Sequence, residues 1–171
     1  STFSENEARY YGGAIGAYFA TLTITGSTFS QNEARYYGGA IYAWLDSTLT
    51  ITGSTFSENQ AEYGGAIYAA RLPLDPGTVV VTNSTFSANS TSTPDGGSAI
   101  YLVRGITASL AFVTLADHTV SPTLAVRSDG GTFRLKNVVL ANPSVDECGG
   151  SGLTVQLDGA VLADDSSCAG V

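Results

Sequence analysis

The sequence predicts an all-β parallel β-helix, a solenoid of about seven rungs with three short strands in each, and three observations predict it. The tetrapeptide STFS recurs at residues 1, 27, 54 and 84. Apolar and polar residues alternate beside it, the period-2 signature of a strand with one buried face. Glycine and other turn residues punctuate every unit, strong helix formers are scarce, and no window carries a 3.6-residue period.

Each element can be justified from the Phe of STFS taken as an anchor. The anchors are Phe3, Phe29, Phe56 and Phe86, and the pattern continues at Leu115, Leu140 and Leu162, at intervals of 26, 27, 30, 29, 25 and 22 residues. The anchor segment is one strand signal. A second, TLTIT, lies upstream: Ile24, Ile51, Val81, Leu110, Leu135 and Leu157 stand five residues before an anchor. Leu22, Leu49, Val79, Ala108, Phe133 and Val155 stand seven before. The residues between them are mostly polar, so the apolar set faces inward. The third signal is GAIYA, with Ile15, Ile41 and Ile67 inward. Three strands in 22 to 30 residues is the size of one β-helix coil. No coil buries its apolar face alone, and stacked coils align like residues at the strand spacing of about 4.8 Å. An antiparallel sandwich would not require identical residues at identical places.

Three ladders follow from the stacking. Asn6, Asn32, Asn59 and Asn89 stand three after their anchors, with His118 in the next such slot and Asp165 in the last. Near Leu140 the slot is Pro143, with Asn142 one residue early. Asparagine stacks well at a turn because its amide bonds both the backbone and its neighbour's amide. The pairs Gly12–Gly13, Gly38–Gly39, Gly64–Gly65 and Gly96–Gly97 mark a corner that needs positive φ or close backbone approach. Tyr11, Tyr37 and Tyr63 precede that corner and are expected to stack.

Composition excludes several functions. The chain has 171 residues and a net charge of −8, without a basic stripe. That balance opposes nucleic-acid binding and gives no pull toward anionic membranes. No stretch approaches the roughly 18 apolar residues of a membrane span. No signal peptide is present and residue 1 falls inside a repeat, so a longer precursor is expected. The two cysteines, Cys148 and Cys168, suit either a disulfide in an oxidising compartment or two buried thiols.

The paired motifs FSEN…GGAI (Phe3–Asn6, Gly12–Ile15), FSQN…GGAI (Phe29–Asn32, Gly38–Ile41), FSEN…GGAI (Phe56–Asn59, Gly64–Ile67) and FSAN…GGSAI resemble the FxxN and GGAI repeats of chlamydial polymorphic outer-membrane proteins and their bacterial relatives. This resemblance covers residues 1–102. Residues 103–171, with GGTFRLKNVVLANPSVDECGG and DDSSCAG, resemble the C-terminal part of choice-of-anchor Q domain proteins, whose two late cysteines match Cys148 and Cys168. The resemblance implies a single right-handed β-helix domain capped by a disulfide. It also implies bacterial origin, an extracellular or cell-surface location, and a passive role as scaffold, stalk or adhesin. The chain stops at Val171, where a surface anchor would begin in that family.

A catalytic constellation is not legible. Lyases of this architecture need a base beside clustered carboxylates, and glycoside hydrolases need two carboxylates across the bond. Here the acids sit mainly in turns: Glu5, Glu7, Glu33, Glu58, Glu62, Asp75, Asp95, Asp129, Asp146 and Glu147. Asp158, Asp164 and Asp165 read as a solvated C-terminal turn, and Asp117–His118 as a turn without a nucleophile. Arg134 and Lys136 are expected to balance carboxylates such as Asp158 one rung on, and Glu62 to pair with Arg35. No cofactor or metal is implied. The candidate binding surface is aromatic: Tyr42, Tyr68 and Tyr101 follow inward isoleucines and are expected to point outward in a column, with Tyr18 and Trp44 beside them. Such a column can stack on sugar rings or on protein at a cell surface, which leaves a carbohydrate-binding or carbohydrate-active β-helix as the alternative. A second regular surface is the threonine array, Thr21/Thr23/Thr25 above Thr48/Thr50/Thr52. The rung ends carry unpaired backbone groups. With no polar cap legible before Ser1, either more rungs precede it or this end joins a partner, possible end-to-end self-association included.

Overall fold

Like residues recur at fixed rung positions, and the chain coils so that they stack. The computed structural model describes residues 1–44, 47–71, 77–103, 105–118, 122, 124–126, 130–141, 146, 148–149, 152–163 and 167–168. Every strand pairing among them is parallel and joins successive coils. The anchor sheet holds seven strands: Thr2–Ser4, Thr28–Ser30, Thr55–Ser57, Thr85–Ser87, Thr114–Ala116, Val138–Ala141 and Val161–Ala163. The TLTIT sheet holds six, from Thr21–Thr25 to Leu153–Leu157, and the GAIYA sheet six, from Ile15–Tyr18 to Cys148–Gly149. Seven rungs are therefore complete on one face only.

The expectation of three strands per rung is corrected. Each of the first four rungs has a fourth, two-residue strand: Glu7–Ala8, Glu33–Ala34, Gln60–Ala61 and Ser90–Thr91. Two residues are too few for alternation to show in a sequence.

The core is a set of files along the solenoid axis. Phe3, Phe29, Phe56 and Phe86 stack with centroids 4.7 Å apart and planes within 5°. Phe29, Phe56 and Phe86 are fully buried. Leu49, Ile51, Val79, Val81, Ala108, Leu110, Phe133 and Leu135 form the adjoining buried files.

The last rung departs from the expected pattern. Val138 pairs with Val161 and Leu140 with Ala163, so Leu162 faces outward, 69% exposed. Two residues separate Leu135 from Val138, whereas three separate Leu157 from Val161. One added residue reverses the faces of a strand. Leu157, expected inward, is 53% exposed on this terminal rung.

Corners repeat as strictly as strands. Residues two after the anchor (Glu5, Gln31, Glu58, Ala88, Asp117) have φ of 52° to 60°, and those three before it (Gly26, Gly53, Asn83, Phe112, Asn137) 50° to 58°. At the double-glycine corner the two residues divide the work. Gly38 takes positive φ, while a Cβ on Gly39 would lie 2.1 Å from the Gly65 carbonyl. In the fourth rung this corner shifts by one residue: Gly97 takes the positive φ and Ser98 the slot of Gly65.

The asparagine ladder forms at the anchor corner. Asn59 Oδ1 accepts from the Asn32 backbone N–H (3.0 Å) and Nδ2 (2.9 Å), and Asn59 Nδ2 donates to the Phe29 carbonyl (3.0 Å) and Asn89 Oδ1 (2.9 Å). Asn6 and Asn89 continue the file at its ends. His118 takes the fifth slot, and its Nδ1 lies 3.0 Å from the Asn89 carbonyl. The equivalent carbonyls of Asn6, Asn32 and Asn59 accept backbone N–H groups from Glu33, Gln60 and Ser90. Cys148 and Cys168 form a disulfide at the C-terminal end. Asn142, Pro143, Asp164 and Asp165, with Asp75, Asp129 and Glu147, lie outside the described residues.

Candidate functional site

The Tyr-bearing side of the GAIYA sheet faces away from the core, because alternation puts Tyr42, Tyr68 and Tyr101 opposite the inward Ile41, Ile67 and Ile100. They form a second cluster with Ala70 and Val103, separate from the core. The column points outward from the core as expected, yet it is not open to solvent: Tyr42, Tyr68 and Tyr101 are only 3% to 5% exposed. The corner tyrosines cover them. Tyr11 lies on Tyr42 (4.9 Å), Tyr37 on Tyr68 (4.5 Å) and Tyr63 on Tyr101 (5.3 Å). The glycine corner folds this second file back over the first, and two amphipathic ring files bury more area together than either does alone. Burial pushes the Tyr42 phenol above its ordinary range, with Tyr18, Tyr11 and Tyr37 adding to the effect. Trp44 packs on Tyr42 at 5.9 Å and is half-buried, whereas Tyr18 is exposed.

A third aromatic file was not singled out from the sequence, although ARYY at residues 8–11 and 34–37 signals it. Tyr10 and Tyr36 stack outside the corner file with centroids 6.1 Å apart. Arg9 lies over the Tyr10 ring at 5.5 Å and Arg35 over Tyr36 at 5.2 Å. The expected Arg35–Glu62 ion pair is absent among the described residues; the guanidinium rests on the aromatic face of its sequence neighbour instead. Arg134 and Asp158 do approach, at 4.0 Å on the exposed surface, where such a pair is worth less than about 1 kcal/mol.

A lateral groove of about 760 Å³ lies on the two-residue sheet, and Arg9 and Arg35 reach from it to the Tyr10 and Tyr36 rings. Ala8, Ala34 and Ala61 line its floor. Glu7, Glu33 and Gln60 stand in register along one side, and Arg9, Arg35, Glu62 and Ser92 along the other. The groove thus offers carboxylate acceptors on both walls and guanidinium donors on one, a set suited to an extended polar chain.

The remaining candidates take structural places. His118 is buried in the ladder and its pKa is pushed down to about 4 by that burial, against the opposing Asn89 bond and the Asp117 charge. Among the described residues, no group of three or more His, Cys, Asp and Glu could hold a metal ion. On the TLTIT sheet, one threonine column, Thr21, Thr48, Thr78, Thr107, Thr132 and Thr154, continues in register through all six strands. Its neighbouring column passes through Thr23, Thr50, Val80, Ser109, Arg134 and Gln156.

A family model for the right handed beta helix region matches residues 1–121. No curated protein and no solved structure matches the chain.

Proposed function

The chain belongs to the right-handed beta helix family, and from its interior and its lateral face we propose that it is a non-enzymatic bacterial surface module, a scaffold or stalk that adheres through the Arg–Glu groove. One observation carries this reading. The repeated side chains of the rungs are committed to ladders, Phe on Phe and Asn on Asn, while the groove lined by Glu7, Glu33, Arg9 and Arg35 lies open on one side. The fold is consistent with a surface or structural role. The Cys148–Cys168 disulfide supports an oxidising compartment outside the cytoplasm.

The partner is a glycan or an extended protein segment. Flat rings flanked by guanidinium and carboxylate groups are the chemistry that stacks on sugars and bonds their hydroxyls. End-to-end association of rungs is a further part of the proposal, since parallel backbone edges that pair between rungs of one chain can pair in the same way between chains.

The test is binding to arrayed glycans and surface proteins by the chain and by its Arg9→Ala/Arg35→Ala variant, with circular dichroism to verify folding. Specific binding lost in a folded variant supports the reading. Binding that survives in the variant places adhesion elsewhere. Release of reducing ends or unsaturated products from a polysaccharide panel, with or without calcium, would revive the enzyme alternative.

A further inference from the structure

All nine tyrosines and the single tryptophan belong to one network of neighbouring rings. The strand file is buried and the corner file covers it. The outer file, Tyr10 and Tyr36, has no further ring file stacked over it among the described residues, and Tyr11 at the first rung of the corner file is also 41% exposed. Tyr10 is 48% exposed and Tyr36 is partly exposed. The rings are nearly parallel, 15° between planes, and the backbone bond from Tyr36 N–H to the Tyr10 carbonyl (3.0 Å) fixes their alignment on adjacent rungs.

We propose that Tyr10 and Tyr36 are a site of oxidative phenol coupling, where a carbon–carbon bond staples adjacent rungs when a haem peroxidase with hydrogen peroxide oxidises both rings. Each phenol gives up one electron and its O–H proton, leaving two neutral phenoxyl radicals, and the peroxide is reduced to water. The radicals couple between ring carbons ortho to oxygen. The hydrogen on each coupled carbon then returns to oxygen as the rings regain aromaticity. The net change is loss of two hydrogen atoms from the protein, balanced by one peroxide becoming two waters.

Tyr11 and Tyr37 lie closer, at 5.4 Å, but stack on Tyr42 and Tyr68, and three features support coupling at the outer pair. The fold supplies the proximity that two separate phenols would need a collision to reach. Arg9 and Arg35 sit over the two rings, so a ring cation is disfavoured and electron loss goes with proton loss to water. Tyr11 neighbours both rings, 6.0 Å from Tyr10 and 6.5 Å from Tyr36, so oxidation begun at Tyr11 can pass to the pair. The staple is independent of the adhesive role, since it is read from a covalent product.

The test treats the full chain, at low protein concentration, with haem peroxidase and hydrogen peroxide. The expected result is dityrosine fluorescence in a monomer lighter by a pair of hydrogen atoms, with a peptide cross-link joining Tyr10 to Tyr36. Tyr36→Phe and Tyr10→Phe keep the ring and lose the phenol, and each should reduce that cross-link to background. A cross-link mapped to Tyr10–Tyr11 or Tyr11–Tyr37, products that are chiefly intermolecular dimers, or no dityrosine in natively folded protein would overturn the proposal.

Discussion

Replacing Asn59 by alanine tests whether the amide ladder holds the rungs together. Asn59 is fully buried, and its side chain makes four hydrogen bonds to Asn32, Phe29 and Asn89. Asn32 Nδ2 keeps its bond to the Phe3 carbonyl, and Asn89 Oδ1 keeps the Asn59 backbone N–H. The Asn32 backbone N–H loses its partner inside the coil, while the Phe29 carbonyl loses one donor and stays within the strand pairing to Thr55–Ser57. An orphaned buried group costs about 1–3 kcal/mol, so this group and the lost ladder bonds amount to about 3 kcal/mol. That is a large fraction of the roughly 5–15 kcal/mol that holds a domain folded. Asn6 is an internal control: it is exposed, its side chain makes one bond, to Asn32 Oδ1, and Asn6→Ala should cost about 1 kcal/mol or less. Urea unfolding followed by circular dichroism compares the two. Equal small losses, each under about 1 kcal/mol, would refute the ladder argument.

The other predictions concern the core, a corner, the buried histidine and the disulfide. Phe56→Ala, between two rings at 4.7 Å, should cost about 3–5 kcal/mol in the same assay. Gly39→Ala should abolish folding, because its Cβ would meet the Gly65 carbonyl at 2.1 Å; Gly53→Ala has open space and should cost only the roughly 1–2 kcal/mol of left-handed backbone. For His118 the folded pKa of about 4 lies below the ordinary 6.5, so the unfolded chain takes up the proton first. Stability should be unaffected above pH 6.5 and fall as pH drops toward 4, by about 3 kcal/mol in all, and His118→Asn should remove that part of the slope in urea midpoints measured against pH. Cys148→Ser with Cys168→Ser should lower stability by about 3 kcal/mol, and a reducing agent should lower the melting temperature of the native chain while leaving the double variant unchanged.

How much of this was legible follows from which signals are periodic. Phe29, Ile51 and Asn59 repeat at fixed offsets, so the strands, the core files and the ladder could be read before any coordinates. Glu7–Ala8 and its relatives are too short to alternate, and the fourth sheet was missed. Leu162 followed the spacing rule, but one added residue at Asp158–Ala160 reversed its face. The tyrosine column points to the expected side of its sheet, but what covers it was not legible. Alternation tells which face a side chain takes, but what folds over that face depends on the path of the glycine corner. The groove joins residues 26 or more apart in the chain, and its walls emerge only once the rungs stack in register.

The central claim is that successive coils stack in parallel and in register as one rigid scaffold. Nitroxide labels at Thr23→Cys and Gln156→Cys, exposed positions of one column, measure it by pulsed electron resonance with the native disulfide intact. Five rungs separate the two positions through Thr50, Val80, Ser109 and Arg134, a span of about 24 Å at the strand spacing. A single narrow distance near that value is the predicted result. A broad distribution, or a narrow one far from it, would contradict the stacked scaffold.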